Sequence, residues 1–327
     1  MDNANKNGFV NETNQPRRPR IVVVGSINMD LVIRCGSLPV PGQTITAQSS
    51  AEFCGGKGAN QAVAAAKMEG DVWMVGSVGD DSFASRLLDN LRSHRIHTDA
   101  VAQSEDCPSG LAIVAVESSG QNAIMVVPGA NGRVTREDVY AHRDLIQSAD
   151  VLLLQLEIPV DAVLAAIEIA REANVRIVVD PAPVPAIWTD ALLQVDLVCP
   201  NETEAAAITG RTIETLVDAE VAARELRRRG AKQVALTLGD RGTLLLRDGH
   251  SIHLPAMKVD AVDTTAAGDA FAGALAVRWA ETDDLVDAIR LANIAGAIAA
   301  TRPGAQASMA SRQEIEIQLQ TTAGSFS

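Results

Sequence analysis

Aromatic residues are scarce in this chain, making up 3% of 327 residues, with one tyrosine, three tryptophans and five phenylalanines. The core must therefore be built from Val, Ile, Leu and Ala, and side chains that could stack on a base are few. Cysteine is also sparse. Cys35, Cys54, Cys107 and Cys199 form no C-x-x-C pair and no zinc-ligand spacing. Reduced thiols in a cytosolic protein are the expectation, under which the Asn-Glu-Thr sequences at Asn11 and Asn201 carry no sugar. No window reaches the length and hydropathy of a membrane span, and the first twenty residues lack the apolar stretch of a signal peptide. Positive charge is in deficit, with 28 Lys and Arg against 41 Asp and Glu, a formal net charge of -13. That balance argues against nucleic-acid backbones and anionic membranes as partners. It leaves room for a nucleotide, whose phosphates can be held by backbone N–H groups, one or two cations and a bound metal.

What is present is a globular composition, 47% hydrophobic and 21% charged. Residues 1–18 are polar and read as a disordered tail, and 321–327 as a flexible C-terminus. Between them, 19–320 read as one α/β domain. Short, continuously apolar runs rich in β-branched residues recur at 21–25, 72–76, 151–157, 176–180, 196–201 and 233–239, as expected for strands buried on both faces. Helical patterns at 60–68, 82–94, 160–173 and 219–230 alternate with them. This predicts a doubly wound, mostly parallel sheet with helices on both faces. Two segments break the rhythm, 31–54 and 110–130, where apolar residues alternate around Pro-Gly and Ser-Ser-Gly-Gln turns. Two surface hairpins would satisfy the pattern. Both segments follow strands whose C-terminal ends face the ligand crevice of such folds, so a small β-sheet lid over about 31–54 and 110–128 is the expectation.

The stretch VDTTAAGDAF, residues 262–271, places small residues before Asp269 and an apolar helix after it. Ala266, Ala267 and Gly268 would form the first turn, where backbone N–H groups lack intrahelical acceptors and the helix dipole favours an anion. Helix capping is the structural alternative for Asp269. An anion pocket beside a carboxylate suits phosphoryl transfer, the N–H groups facing the phosphoryl and the carboxylate taking a hydroxyl proton. The Gly-rich FCGGKGANQAVAAA (53–66) precedes a helix expected to start near Ala59 or Asn60, and is neither a Walker A loop nor G-x-G-x-x-G. Asn28 and Asp30 in GSINMD (25–30) follow the first strand and suit a polyhydroxyl ligand, although turn formation would also explain them. Asn201 and Glu204 in CPNETEA (199–205), three apart, would share a helix face, with capping as the alternative for Asn201. The loops TLGDRG (237–242) and TRPGAQAS (301–308) are unremarkable alone.

Taken in order, GSINMD, GGKGAN, PNETEA, TLGDRG and DTTAAGDAF resemble the ribokinase-like (PfkB) carbohydrate kinases, and the resemblance spans residues 21 to about 318. It implies that Asp269 is the general base and that Ala266, Ala267 and Gly268 are the anion hole for the γ-phosphoryl. It places Asn28, Met29, Asp30, Gly56, Lys57 and Gly58 at the sugar, with Ala59, Asn60 and Glu157. Asn201 and Glu204 would lie near the nucleotide phosphates and the water shell of Mg²⁺. Thr237, Leu238, Gly239, Asp240, Arg241, Gly242 and Asn293 would border the nucleotide. A monovalent cation, K⁺, would sit beside the anion hole at Asp263, Thr265, Ala299, Arg302, Gly304 and Ser308, several through carbonyls, a hard-oxygen set that suits it. The lid would also form the contact of a homodimer. Three departures stand out: Ala266 where many relatives carry Gly, Met29 at a variable place, and Pro303 inside the cation loop, which keeps its carbonyl.

The expected function is ATP-dependent phosphorylation of D-ribose at O5. Related acceptors, namely 2-deoxyribose, another sugar or a nucleoside, are the alternative. The polar set at 28, 30, 57, 60 and 157 favours a small polyol over a nucleoside. A silent sugar sensor would have no need of Asp269, and a dehydrogenase would need the dinucleotide fingerprint the chain lacks.

Overall fold

A computed structural model describes residues 17–117 and 121–323. The expected N-terminal tail lies almost wholly outside the described residues, as do 118–120 at the tip of the second lid hairpin. In chain order, β1 (Arg20–Val24), β2 (Asn28–Cys35) and β3 (Ser49–Gly55) lead into α1 (Lys57–Lys67). Then come β4 (Asp71–Val78), α2 (Ser82–Ser93), β5 (His97–Gln103), β6 (Gly110–Glu117) and β7 (Asn122–Val127). The short helices α3 (Arg136–Ala141) and α4 (Arg143–Gln147) precede β8 (Val151–Leu154), α5 (Val160–Glu172), β9 (Arg176–Val179) and β10 (Leu197–Val198). Next are α6 (Glu202–Thr209), α7 (Leu216–Arg228), β11 (Gln233–Thr237), β12 (Thr243–Arg247) and β13 (His250–Leu254). The chain closes with α8 (Ala267–Thr282), α9 (Leu285–Ala300) and α10 (Arg312–Ala323). The last helix runs three residues past the expected domain end at 320, and residues 324–327 of the expected C-terminal tail lie outside the described residues.

Nine strands form one sheet in the order β13-β12-β11-β10-β9-β8-β1-β4-β5. From β11 to β5 the pairs are parallel, while β12 and β13 add antiparallel at one edge. The two-residue period of a strand divides the core. Ile21 and Val23, Val151 and Leu153 face one layer with α1, α2, α8 and α9, whereas Val22 and Val24, Leu152 and Leu154 face the other with α5 and α7. That is why these strands are apolar at every position. The chain winds from β1 outward to β5 and later returns to β8 on the other side of β1. Ligands bind at such a reversal, outside the carboxyl ends of the strands.

The two exceptional segments pair as one four-stranded sheet, β3-β2-β6-β7, as the lid reading expected. Asn28 of β2 lies between Gly55 of β3 and Gly110 of β6, so the lid springs from the crevice itself. Among the described residues, no helix is long and apolar enough to cross a membrane, and all four cysteines are free thiols.

Candidate active site

The strand ends supply the polar residues. Asn28 follows β1, Glu157 follows β8, Asp180 closes β9, Asn201 follows β10 and Thr237 ends β11. Helix α1 starts at Lys57, earlier than the Ala59 or Asn60 expected. Gly56 takes φ 89° at its N-cap, a conformation that disfavours any side chain. The first-turn donors are met from the β1–β2 junction, Ala59 N–H donating to the Ser26 carbonyl at 2.9 Å and Gly58 N–H to Ser26 Oγ at 3.3 Å. Those bonds let the helix begin two residues sooner.

Asp269 sits in the first turn of α8, yet its side chain makes no capping bond. Capping is therefore not its role. Instead Asn60 Nδ2 donates to Oδ2 at 3.0 Å and Gln61 Nε2 to Oδ1 at 3.1 Å. The carboxyl is buried, and burial pushes its pKa up to about 6, a rise that the Lys57 ammonium opposes and Asp180 reinforces. Asp30 is pushed up further, to about 7, by burial first and then by the charges of Glu157 and Asp269. Glu157 is held by Ser26 Oγ at 2.5 Å, Lys57 N–H at 3.1 Å and Asn28 Nδ2 at 3.5 Å.

The two cavities at this end of the sheet adjoin. One, of 860 Å³, lies under the lid between Asp30, Phe53 and the 303–307 loop. The other, of 170 Å³, runs between Lys57, Asp180, Asn201, Glu204, Gly268 and Asp269. Thr264 and Thr265 line both. Of the expected anion hole, Ala267 N–H turns back to the Thr264 carbonyl at 3.2 Å, and the Ala266 side chain packs in the core. Gly268 is the open member. Its N–H meets no acceptor among the described residues, and a Cβ placed there would meet nothing within 4 Å.

Other expected site residues sort clearly. Lys57 reaches Asp180 Oδ2 at 3.7 Å, so its ammonium lies in the smaller cavity rather than at the lid. Met29 alternates with Asn28 and Asp30 on β2 and is fully buried in the core, so its side chain does not face the lid cavity. Ala59 and Leu238 are likewise core residues. Asn201 and Glu204 form a capping box on α6, so capping and cavity lining coincide there. Burial raises the Glu204 pKa. Gly239 and Gly242, with φ 58° and 94°, make the turn after β11, with Asp240 exposed on it. Arg241 pairs with Glu202 and donates to the Glu214 carbonyl at 2.9 Å, which directs it away from the cavity centre. Asn293 is spent inside the protein, accepting from Thr243 Oγ1 at 2.7 Å and donating to the Leu254 carbonyl at 3.1 Å.

Asp263 accepts from Thr265 N–H at 3.0 Å and Gly304 N–H at 2.9 Å, tying the 263–265 turn to the 301–308 loop. Arg302 turns its guanidinium to Glu314 at 2.6 Å, leaving its carbonyl as the only oxygen it could offer. Among the described residues no group of three or more His, Cys, Asp or Glu is placed to hold a metal ion.

The sequence reading missed Gln61, Asp180, Asn131 and Gln306. Asp180 carried a usable signal, a carboxylate closing a buried strand as Asp30 and Glu157 follow theirs. Asn131, which donates to Asn28 Oδ1 at 2.7 Å, carried none.

Compared with known proteins, residues 18–312 match the pfkB family carbohydrate kinase. The ribokinase of Staphylococcus aureus is 37% identical over 90% of this chain and 98% of its own length. The deoxyribokinase of Salmonella typhi is 35% identical over 90% of this chain and 96% of its own. The structure of Arabidopsis thaliana ribokinase complexed with ribose and ATP superposes with a TM-score of 0.84 at 32% identity, covering 92% of this chain and 98% of that one.

Proposed function

The chain belongs to the pfkB family of carbohydrate kinases, and on that premise we propose that it transfers the terminal phosphoryl group of ATP to O5 of D-ribose, giving D-ribose 5-phosphate and ADP. The observation that carries this reading is the placement of Asp269. It is a buried carboxylate at a helix N-terminus, unused for capping, held by two amides and lining the smaller polar cavity that adjoins the one under the lid.

The sugar lies under the lid, its hydroxyls facing Asn28, Asp30, Asn60 and Glu157. Asp269 takes the proton of O5 as that oxygen bonds to the γ-phosphorus. The bond from phosphorus to the β,γ-bridging oxygen breaks, and ADP leaves. Lys57 and the Gly268 N–H face the charge on the transferring group. Thr237, Gly239 and Gly242 border the nucleotide. The lid excludes water that would otherwise compete as acceptor.

Two cations complete the proposal. Glu204, with Asn201 beside it, fits a Mg²⁺ that arrives with the nucleotide, because such ions need only one or two carboxylates beyond phosphate and water. When bound it neutralises phosphate charge. The tied 263–265 and 301–308 segments, with the end of α9, offer hard oxygens, from Asp263, Thr265, Ser308 and the carbonyls of Ala299, Arg302 and Gly304, and these fit K⁺. Bound there, it supplies positive charge next to the α8 turn. The lid's outer strand β7 leaves Ile124 52% and Met125 60% exposed, an apolar edge that a second copy would cover in a homodimer. Replacing Met125 with Lys should then shift sedimentation from dimer to monomer; an unchanged mass would remove that assignment. A cytoplasmic location accords with the four free thiols.

The second reading is 2-deoxyribose as acceptor, which the Salmonella typhi relative favours. The deciding experiment is coupled ADP release with MgATP and KCl, offering ribose, 2-deoxyribose, fructose, adenosine or no sugar. Ribose should give the highest turnover, falling when divalent ions are chelated or K⁺ is replaced by a non-activating cation. Higher turnover with 2-deoxyribose would change the acceptor. ADP release indifferent to every acceptor would defeat the reading.

A further inference from the structure

The carboxylate of Asp269 is gripped from both sides by chains of amides. On one side Asn60 Nδ2 donates to it at 3.0 Å, while Asn60 Oδ1 accepts from Gln306 Nε2 at 3.1 Å. Gln306 is fixed in turn, its Oε1 accepting from Asn90 Nδ2 of α2 at 2.7 Å and its backbone carbonyl from Lys67 Nζ of α1 at 3.2 Å. On the other side Gln61 Nε2 donates to Asp269 at 3.1 Å and to Asp180 at 2.8 Å, while Gln61 Oε1 accepts from Gln155 Nε2 at 2.5 Å. All four amides, Asn60, Gln61, Gln155 and Gln306, are buried.

An amide is nearly symmetric in shape and opposite in function at its two ends. If Asn60 or Gln61 turned over, a carbonyl oxygen would face the carboxylate and repel it. The inner amides cannot choose their direction by shape alone. The outer ones reinforce the carboxylates' own pull, because a donor pressed against an inner oxygen also holds the inner NH₂ toward Asp269. Gln155 shows this most plainly. Its Oε1 is buried with no partner among the described residues, so donation to Gln61 is the one side-chain bond it makes there. A buried orphan oxygen is costly, and here it accompanies a donor aimed at Gln61.

We propose that Gln306 and Gln155 are positioning residues, the outer members of a four-amide clamp that keeps both oxygens of Asp269 hydrogen-bonded and its remaining lone pairs directed at the acceptor hydroxyl. This rests on the reading of Asp269 as general base. Gln306 lies between Gly304 and Ser308, so the clamp also joins the 301–308 loop to the base through a single amide, that of Asn60.

The test is Gln306→Glu, which keeps shape and the acceptor for Asn90 but removes the donor for Asn60. With donor and acceptor reversed, Asn60 turns its NH₂ outward. The expected result is a fall in kcat of roughly tenfold to a hundredfold, the worth of one hydrogen bond to a charged group, with the KM for ATP unchanged. In an Asn60→Ala background the same substitution should change kcat less than about twofold. An equal loss in both backgrounds would mean that Gln306 acts through the loop and not through Asn60, and would overturn the proposal. Gln306→Met, which carries no charge, separates the donor's loss from added repulsion and should also lower kcat.

A direct titration stands independently of turnover. ¹³C NMR of aspartate-labelled protein, assigned by Asp269→Asn, follows the carboxyl itself, which faces Lys57 from α1, Asp30 from β2, Asp180 after β9 and Glu204 from α6. Its midpoint should rise in Gln306→Glu and move less in Gln306→Met. An unmoved midpoint in Gln306→Glu would refute the clamp. A wild-type protein that phosphorylates no sugar would refute the functional reading alone.

Discussion

On the acceptor side of the cleft, Asn28, Asn60 and Asp269 are 2%, 6% and 4% exposed, and each is bonded to another buried side chain from a distant part of the sequence. On the donor side, Asn201 is exposed, Glu204 and Arg241 are partly so, and the bonds are a local capping box and a surface ion pair. The acceptor side is a network assembled by the fold. The donor side is a series of short-range motifs on strand ends. The network holds its carboxylates away from water and so raises their pKa; burial raises Glu204 on the donor side as well, but the hydrogen bonds there stay within one capping box. Geometry fixed in advance on the acceptor side thus comes at a cost in stability.

The largest expected effect is that of Asp269→Asn. Turnover should drop by about 10²–10⁴, the usual worth of a general base, with sugar binding retained. The same substitution should raise the melting temperature at pH 7. The sign follows from the shift: a carboxyl whose folded pKa is about 6 rather than 3.8 binds its proton more tightly when folded. Its favourable contribution is complete below 3.8 and lost as the pH rises through 6, so a neutral Asn spares that loss. Near-normal turnover in the Asp269→Asn variant would remove the general base and erase the contrast between the halves.

Next in size is the pH profile. kcat should fall about tenfold per unit below pH 6, as the base takes up its proton. The KM for the sugar should rise already as the pH falls through about 7, where Asp30 protonates. The KM for ATP should move less. A profile in which both KM values move together would show that the two sides are not electrostatically distinct.

Asp30→Asn should raise the sugar KM by roughly tenfold to a hundredfold through the loss of charge-assisted hydrogen bonds, leaving the KM for ATP in place. The smallest effect belongs to the donor side. Asn201→Ala should cost about 1 kcal/mol of stability through the lost cap, read by denaturant unfolding, with a several-fold rise in the KM for ATP. A stability loss as large as that of a core truncation would mean that the donor side is built like the acceptor side after all.

Much of this was legible in the chain. The apolar runs located β1, β4, β8, β9 and β11, because a strand buried on both faces has no polar position. The two irregular segments announced the second sheet. GDAF located the buried carboxylate of Asp269, and PNETEA the capping box, because caps depend on residues three apart. Met29 departs from the expected site because proximity along the chain is not a shared direction, and strand alternation turns neighbours to opposite faces.

The sequence by itself determined the periodicities, the caps, the glycine that turns the chain ahead of α1, and the order of strand ends that must line a crevice. All of these are set by interactions a few residues long. Only the tertiary structure decided that Gln306 would meet Asn60, 246 residues away, or that Asn131 would meet Asn28. It also decided that Lys57 would turn from the lid to Asp180. A hydrogen bond between side chains depends on directions accurate to a few tenths of an ångström. No local pattern encodes which distant loop will supply the partner, and nothing in an amide's name tells which of its ends will face the carboxylate.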